Sequence, residues 1–410
     1  MGRVLIISPD VVNGCMAGPG IRYWEMARAL SRFAEVTLAT PRDTALSDER
    51  VELVTYDQRG MVIREHLKSA DVVVIQGFVL REFSFLKHAS QPLVVDLYDP
   101  FLLENLETHR FRTLAHRHAI HCRDLAALLE QLRCGDFFLC ASERQRDYWL
   151  GMLAAVGKVD LYRGSNDASL RDLIDVVSFG LPEAPARHTR QALKGALPGI
   201  EPDDRVIVWG GGIWAWLDPL LLIRAMKDVS AEHSDVKLFF MGRGHPNPQI
   251  TAVKGLSLFA DAVKLARNLG LLGRSVFFND QWVAYEDRQN YLLEADVGVS
   301  LHKDSIEMRY ALRTRLFDCV WCGLPIVVSK GDIWSETIEA HGLGRGVPVG
   351  DLRALIEAIL AVLDAGGSKA RYRDRFDALR PLLTWERVIQ PLVKFIASPH
   401  KATDSLAVLG

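Results

Sequence analysis

Several large classes of protein are excluded by what this chain lacks. Charge of one sign is missing, with 49 basic residues against 51 acidic ones over 410 positions. No global field therefore draws the chain to nucleic acid or to an acidic partner. Cysteine is scarce, six residues mostly inside apolar segments, which argues against a disulfide-built scaffold and fits the reduced thiols of a cytoplasm. No uninterrupted apolar run reaches the length needed to cross a bilayer, and the opening MGRVLIISPD reads as a first strand and not as a signal peptide. Neither glycine-rich turn of the chain spells Gly-x-Gly-x-x-Gly or the Gly-x-x-x-x-Gly-Lys-Ser/Thr loop, which disfavours a dinucleotide dehydrogenase and a P-loop ATPase. Metal-ligand spacing is absent too: Cys319-x-x-Cys322 has no second pair and no His close by, and reads as helix core, so no metal is expected.

What is present is a near-continuous alternation of strand and helix. Val4–Ile7, Glu35–Ala39, Val51–Tyr56, Asp71–Gln76, Pro92–Leu97 and Asp136–Cys140 have strand patterning with helical periodicity between most of them. A second series follows at Arg205–Trp209, Val236–Met241, Ser275–Phe278, Asp296–Leu301 and Pro325–Ser329. A chain of this length exceeds what one core usually supports. The expected class is α/β, with two Rossmann-like, doubly wound parallel-sheet domains. Residues 1–181 form the first and 205–383 the second. Residues 182–204, with four prolines from 181 onward and little strand pattern, read as the connection between them.

Each half has a glycine turn after its first strand. Ala17-Gly18-Pro19-Gly20 leads into a helix with an apolar face at Ile21, Trp24, Met26 and Leu30. Gly210-Gly211-Gly212 follows Arg205–Trp209 and precedes a helix opening near Asp218-Pro219. Glycine permits close backbone approach, and the helix start behind it can receive an anion. The densest unit is 305–332, SIEMRYALRTRLFDCVWCGLPIVVSKGD, read as loop, helix and strand. It places Arg313 and Arg315 at a helix start, a combination of fixed charge and free amides suited to a diphosphate. Asp318 stands at i+3 from Arg315, and a solvated helical ion pair between the two is an equally open reading.

These pieces together resemble the GT-B-fold retaining glycosyltransferases, the family-4-like group 1 enzymes, over nearly the whole length. AGPGIRYWEMARAL resembles the glycine loop on the acceptor side, and FGLP at 179–182 the end of the first domain. WGGGIWAWLDPLLLIRAM, FFMGRGHPNP, FFNDQWVAYEDRQNYLLEADVGVSLH and RTRLFDCVWCGLPIVV then follow in family order. TWERVIQPLVKFI resembles the closing helix, 384–398, that crosses back to the first domain. The resemblance implies two domains facing across a cleft and transfer of a sugar from a nucleoside-diphosphate sugar to an acceptor hydroxyl, without cofactor or metal. The acceptor would be a sugar, a lipid-linked molecule or a small molecule. It puts Asp318 on the ribose hydroxyls, Trp282, Val283 and Tyr285 around the base, Gly211 and Gly212 at the phosphates, and Arg243 toward the same place. His302, Asp304 and Glu307 fall near the donor sugar, and Gly18 and Gly20 on the acceptor side.

The chain departs from that pattern. The family's Glu-x7-Glu spacing would put an acid at Tyr310, and Glu307 stands three residues early. The basic residues of the family's second glycine turn are missing. Arg313 and Arg315 are expected to replace them, stabilising the charge that develops on the departing diphosphate. Asp99, in Asp96-Leu97-Tyr98-Asp99-Pro100 after a strand, is expected to orient or deprotonate the acceptor hydroxyl, or else to cap the helix that follows. Finally, His109 to Arg123 holds four arginines and four histidines and no acid. With Phe111, Leu114 and Cys122 as its apolar side and His118 near them, it reads as a solvated basic face or as a contact with a lipid-linked acceptor or anionic membrane. Rival functions are a sugar-nucleotide epimerase, a phosphorylase and a non-catalytic sugar-nucleotide-binding protein.

Overall fold

The computed structural model describes residues 2–160, 164–165, 167–243, 257–364 and 368–402. The chain divides into two compact units, one of Met1–Gly180 with Trp385–Gly410 and one of Leu181–Thr384.

The first unit is built on seven parallel strands: β1 (Arg3–Ile7), β2 (Glu35–Thr40), β3 (Val51–Thr55), β4 (Val72–Gln76), β5 (Leu93–Asp96), β6 (Phe137–Cys140) and β7 (Ile174–Val176). Their order is β3-β2-β1-β4-β5-β6-β7. Val-Val-Val-Ile-Gln of β4 is buried throughout, as a strand covered by helices on both faces requires. The chain winds outward from β1 through β2 and β3 and then returns to lay β4 on the other side of β1. That reversal opens a crevice beyond the carboxyl ends of β1 and β4. The closing segment belongs to this unit: the Trp385 ring lies 5.2 Å from Phe179, and Phe395 stacks on Phe137 at 4.5 Å. A Cβ on Gly180 would come within 2.6 Å of Trp385, so only glycine fits beneath that indole.

The second unit repeats the plan with β8 (Arg205–Trp209), β9 (Val236–Phe240), β10 (Val276–Phe278), β11 (Val297–Ser300), β12 (Ile326–Ser329) and β13 (Gly344–Val347), ordered β10-β9-β8-β11-β12-β13. Its switch point lies between β8 and β11. Ile207, Trp209, Leu238, Phe240, Val299 and Val327 form the centre of its core, and the helices Pro219–Glu232 and Leu352–Leu363 pack on them through faces rich in Leu, Ile and Val. The stretch 182–204, expected as a connection, is built into this unit. The Glu294 carboxylate accepts from the amides of Ala192, Leu193 and Lys194 at 2.8, 2.7 and 2.9 Å, and Asn290 accepts from the Thr189 amide at 2.7 Å. Side chains thus satisfy the backbone of a strap too rich in proline to pair as a strand.

Among the described residues, no helix is long and apolar enough to cross a membrane.

Candidate active site

In the second unit the site begins where β8 and β9 end. Gly211 has φ of +72°, the left-handed region open to glycine. A Cβ on Gly212 would lie 2.5 Å from the Trp214 ring, and one on Gly242 would lie 3.1 Å from the Gly211 backbone and 3.2 Å from the Trp282 ring. Two strand-end loops therefore touch backbone to backbone, with indoles over them. Trp214 is 6.3 Å from Trp216 and 6.5 Å from Trp282, centroid to centroid.

The helix Thr314–Cys322 buries Leu316, Phe317, Cys319 and Val320, and that fixes where its arginine points. Arg315 donates from Nη2 to the Gly212 carbonyl at 3.0 Å, with its guanidinium 5.2 Å from the Trp209 ring centre. Its Nη1 is buried and finds no hydrogen-bond partner among the described residues. Burial, and after it the like charge of Arg313, pull the Arg315 pKa below its ordinary value. An anion is what such a group lacks.

Arg313 is engaged differently. Its Nη1 and Nη2 donate to the two oxygens of Glu307 at 2.8 and 2.7 Å, a buried fork. The two arginines expected to act as one clamp are thus divided, one balanced by an acid and one not. Glu307, three residues out of register with the family pattern, has a buried partner in its own loop.

Beside that pair lie two buried groups. His302, after β11, is neutral: burial and Arg313 push its pKa down to about 3, and neither ring nitrogen finds a hydrogen-bond partner among the described residues. Asp332, after β12, caps the helix Ile333–His341 by accepting from the Ser335 amide at 2.7 Å. Its Oδ2 has no hydrogen-bond partner among the described residues and lies 3.8 Å from His302 Nε2 and 3.9 Å from Arg313 Nε. Burial raises the Asp332 carboxyl to about 6. Sequence reading passed over Asp332, although an Asp following a glycine at the end of a strand and opening a helix is a readable cap signal.

Asp318 does not pair with Arg315. It accepts from Arg288 Nε at 2.9 Å, and Arg288 is itself pinned by the Tyr285 carbonyl at 2.5 Å and by the rings of Tyr285 and Trp321 at 3.7 and 4.6 Å. Trp282 and Val283 are half-buried and Tyr285 is buried. Of the expected donor-side residues, Gly211, Gly212, Trp282 and Arg315 come together; His302, Glu307 and Arg313 form a second group; Asp318 and Tyr285 meet at Arg288. Asp304 is exposed. Arg243 is exposed and lies 5.3 Å from the Phe259 ring; the rest of its motif, from Gly244, falls outside the described residues.

In the first unit, Gly20 packs so closely that a Cβ would stand 2.3 Å from the Val11 carbonyl oxygen; Gly18 opens the same helix, Gly18–Leu30. Arg22 on this helix is fully buried. It donates to both oxygens of Asp96 at 2.6 and 2.9 Å and to the carbonyls of Val177 and Ser178 at 2.8 and 3.1 Å. Asp96 also accepts from the Tyr98 amide at 3.3 Å. Asp99 follows, half-buried; the cap position of the next helix, Phe101–Thr108, is Pro100 and carries no side-chain cap. His118 is exposed on the helix Leu114–Cys134, with Nε2 3.5 Å from Cys122 Sγ. The apolar side expected at Phe111 and Leu114 is not covered: these side chains are 94% and 79% exposed.

Residues 204–365 match the family of glycosyl transferases group 1. No curated protein sequence matches the chain. Solved structures do. Sucrose-phosphate synthase from Thermosynechococcus elongatus superposes with a TM-score of 0.66 at 16% identity, covering 97% of this chain and 98% of that one. Anabaena HepE in complex with UDP and glucose gives 0.65 at 14%, covering 97% and 100%. Trehalose-6-phosphate synthase OtsA gives 0.68 at 12%, covering 98% and 100%. With a seven-stranded and a six-stranded parallel sheet and a group 1 domain over 204–365, the chain has the GT-B fold and is a glycosyltransferase.

Proposed function

We propose that the protein moves a sugar, with retention of configuration, from a nucleoside diphosphate to an acceptor hydroxyl, and that Arg315 is the cation receiving the diphosphate. The observation that carries this reading is the half-satisfied guanidinium of Arg315, held by the Gly212 carbonyl in the loop after β8, with one buried nitrogen that has no hydrogen-bond partner among the described residues. Negative charge grows on the diphosphate as the sugar leaves, and a cation already in place stabilises that state without reorganising. Arg315 does here what a bound metal does elsewhere. The amides of Gly211 and Gly212 approach the same phosphates, since no side chain stands in the way.

Asp318, fixed by Arg288, accepts the ribose hydroxyls, and Trp282, Val283 and Tyr285 frame the base. His302, neutral and buried, serves the donor sugar as a hydrogen-bonding group and not as a charge; Glu307 acts through Arg313, whose orientation it sets. Asp99 orients the acceptor hydroxyl. HepE was solved with UDP and glucose, which makes a uridine diphosphate sugar the first donor to try.

The test is a thermal-shift series over UDP, GDP, ADP, CMP and dTDP and their sugars, since a ligand that binds only the folded state raises its stability by an amount set by concentration over Kd. The expected result is a shift for one base, larger for the diphosphate than for the monophosphate, with sugar released from that donor only when acceptor is supplied. No shift with any diphosphate removes the reading; donor consumed without acceptor replaces it with epimerisation.

A further inference from the structure

The segment between the helices Phe101–Thr108 and Leu114–Cys134 has a composition and an exposure that the transfer reaction does not use. Thr113 caps the second helix by accepting from the His116 amide at 3.4 Å, so its start is defined. Yet the residues of that helix that are buried begin only at Asp124. The turns before it, from Leu114 to Arg123, run about 15 Å at the helical rise without a buried residue. A helix normally covers one face.

The uncovered surface has two chemistries. Phe111 in the turn and Leu114 in the first helical position are 94% and 79% exposed. Around them stand Arg110, Arg112, Arg117 and Arg123. Arg110 is 3.6 Å from Glu107 and Arg123 is 2.7 Å from Asp124, whereas the side chains of Arg112 and Arg117 make no ion pair or hydrogen bond among the described residues. Leu114, Arg117, His118 and His121 share one helical stripe by their spacing. Self-association would bring like charges together and leave them unpaired. An anionic lipid surface satisfies both chemistries at once, with rings and methyls at the acyl boundary and guanidinium groups among the phosphates.

We propose that residues 110–121 are a docking surface for anionic phospholipid, with Phe111 and Leu114 entering the interface and Arg112 and Arg117 at the headgroups. The test uses the full chain and no sugar donor, so its outcome is independent of the transfer reading. Co-sedimentation is measured with vesicles of phosphatidylcholine alone and of phosphatidylcholine with phosphatidylglycerol, at low and high salt. The expected result is binding to the mixed vesicles that weakens with salt. Reversing two charges in R112E/R117E should lower it more than tenfold, since each arginine near such a surface contributes about fivefold. F111S/L114S should lower it at fixed salt with the circular dichroism unchanged, because neither side chain supports the core. Equal binding to both vesicles, or unaltered binding by R112E/R117E, overturns the proposal. It is also overturned if F111S/L114S changes the oligomeric state while vesicle binding stays the same.

Discussion

Each unit of the molecule points an arginine into the end of its sheet, and the two are satisfied to different degrees. Arg22 has four hydrogen bonds, two of them to the buried carboxylate of Asp96. Among the described residues Arg315 has one, to a carbonyl, and a nitrogen without a hydrogen-bond partner. Charge in a protein interior persists when it is paired or when a ligand is to supply the pair. Arg22 is of the first kind, joining the helix Gly18–Leu30 to β5 and to the chain after β7. Arg315 is of the second kind, and in our reading that is its function.

Substitution at the two positions should therefore separate stability from turnover. The largest effect is expected from Arg22→Met, which strands the Asp96 carboxylate in the core. Breaking a buried pair from one side costs about 3–5 kcal/mol, to be measured as a shift of the urea midpoint at unchanged slope. Removing both charges in R22M/D96L should recover much of that loss, whereas full additivity of the two single losses would show that the pair is not a unit.

Arg315→Gln comes next and should act on the other axis. Removing a preorganised cation from a developing charge costs about 3–4 kcal/mol of transition-state stabilisation, or a 10²- to 10³-fold fall in kcat. The stability midpoint should stay near that of the parent, because only one hydrogen bond to a carbonyl is lost. Arg315→Lys keeps the charge but not the planar fork and should fall between the two. Full turnover in Arg315→Gln would erase the contrast between the arginines and leave Arg315 as packing.

The fold was legible in the sequence where burial is periodic. Val-rich central strands and the helices between them announce themselves, whereas β7 and β13 did not. Ile-Asp-Val and Gly-Arg-Gly-Val carry too little apolar pattern to be seen without the neighbour they pair with. The Pro-rich stretch 182–204 has a composition that speaks of a free connection, and only the tertiary placement of Glu294 and Asn290 shows what satisfies its amides. At the site, the residues were legible but their partnerships were not. Arg313 and Arg315 are two apart and look alike; that one meets Glu307 and the other Gly212 is settled by a helix whose rotation is fixed by Leu316 and Phe317. The same holds for Asp318, whose partner Arg288 lies thirty residues back in sequence.

The smallest effect is expected within the second unit, at the two buried groups beside Arg313, and it shows only against pH. His302 is depressed to about 3 from an unfolded value near 6.5, so it favours the folded state above pH 6.5 and penalises it as pH falls below that. Asp332 is raised to about 6 from an unfolded value near 3.9, so it does the reverse: its protonated form favours the folded state at low pH, and the advantage is lost as pH rises through 6. Between about pH 4 and 6 the unfolded chain holds one extra proton on His302 and the folded chain one extra on Asp332, and the two slopes cancel. Relative to the parent, His302→Gln should therefore gain stability on acidification across that window, and Asp332→Asn should lose it, each by on the order of 1 kcal/mol per pH unit. Urea midpoints at pH 4.5 and 6 measure both. Parallel pH profiles in parent and variants would mean that water reaches these groups and that the site is wetter than its burial implies.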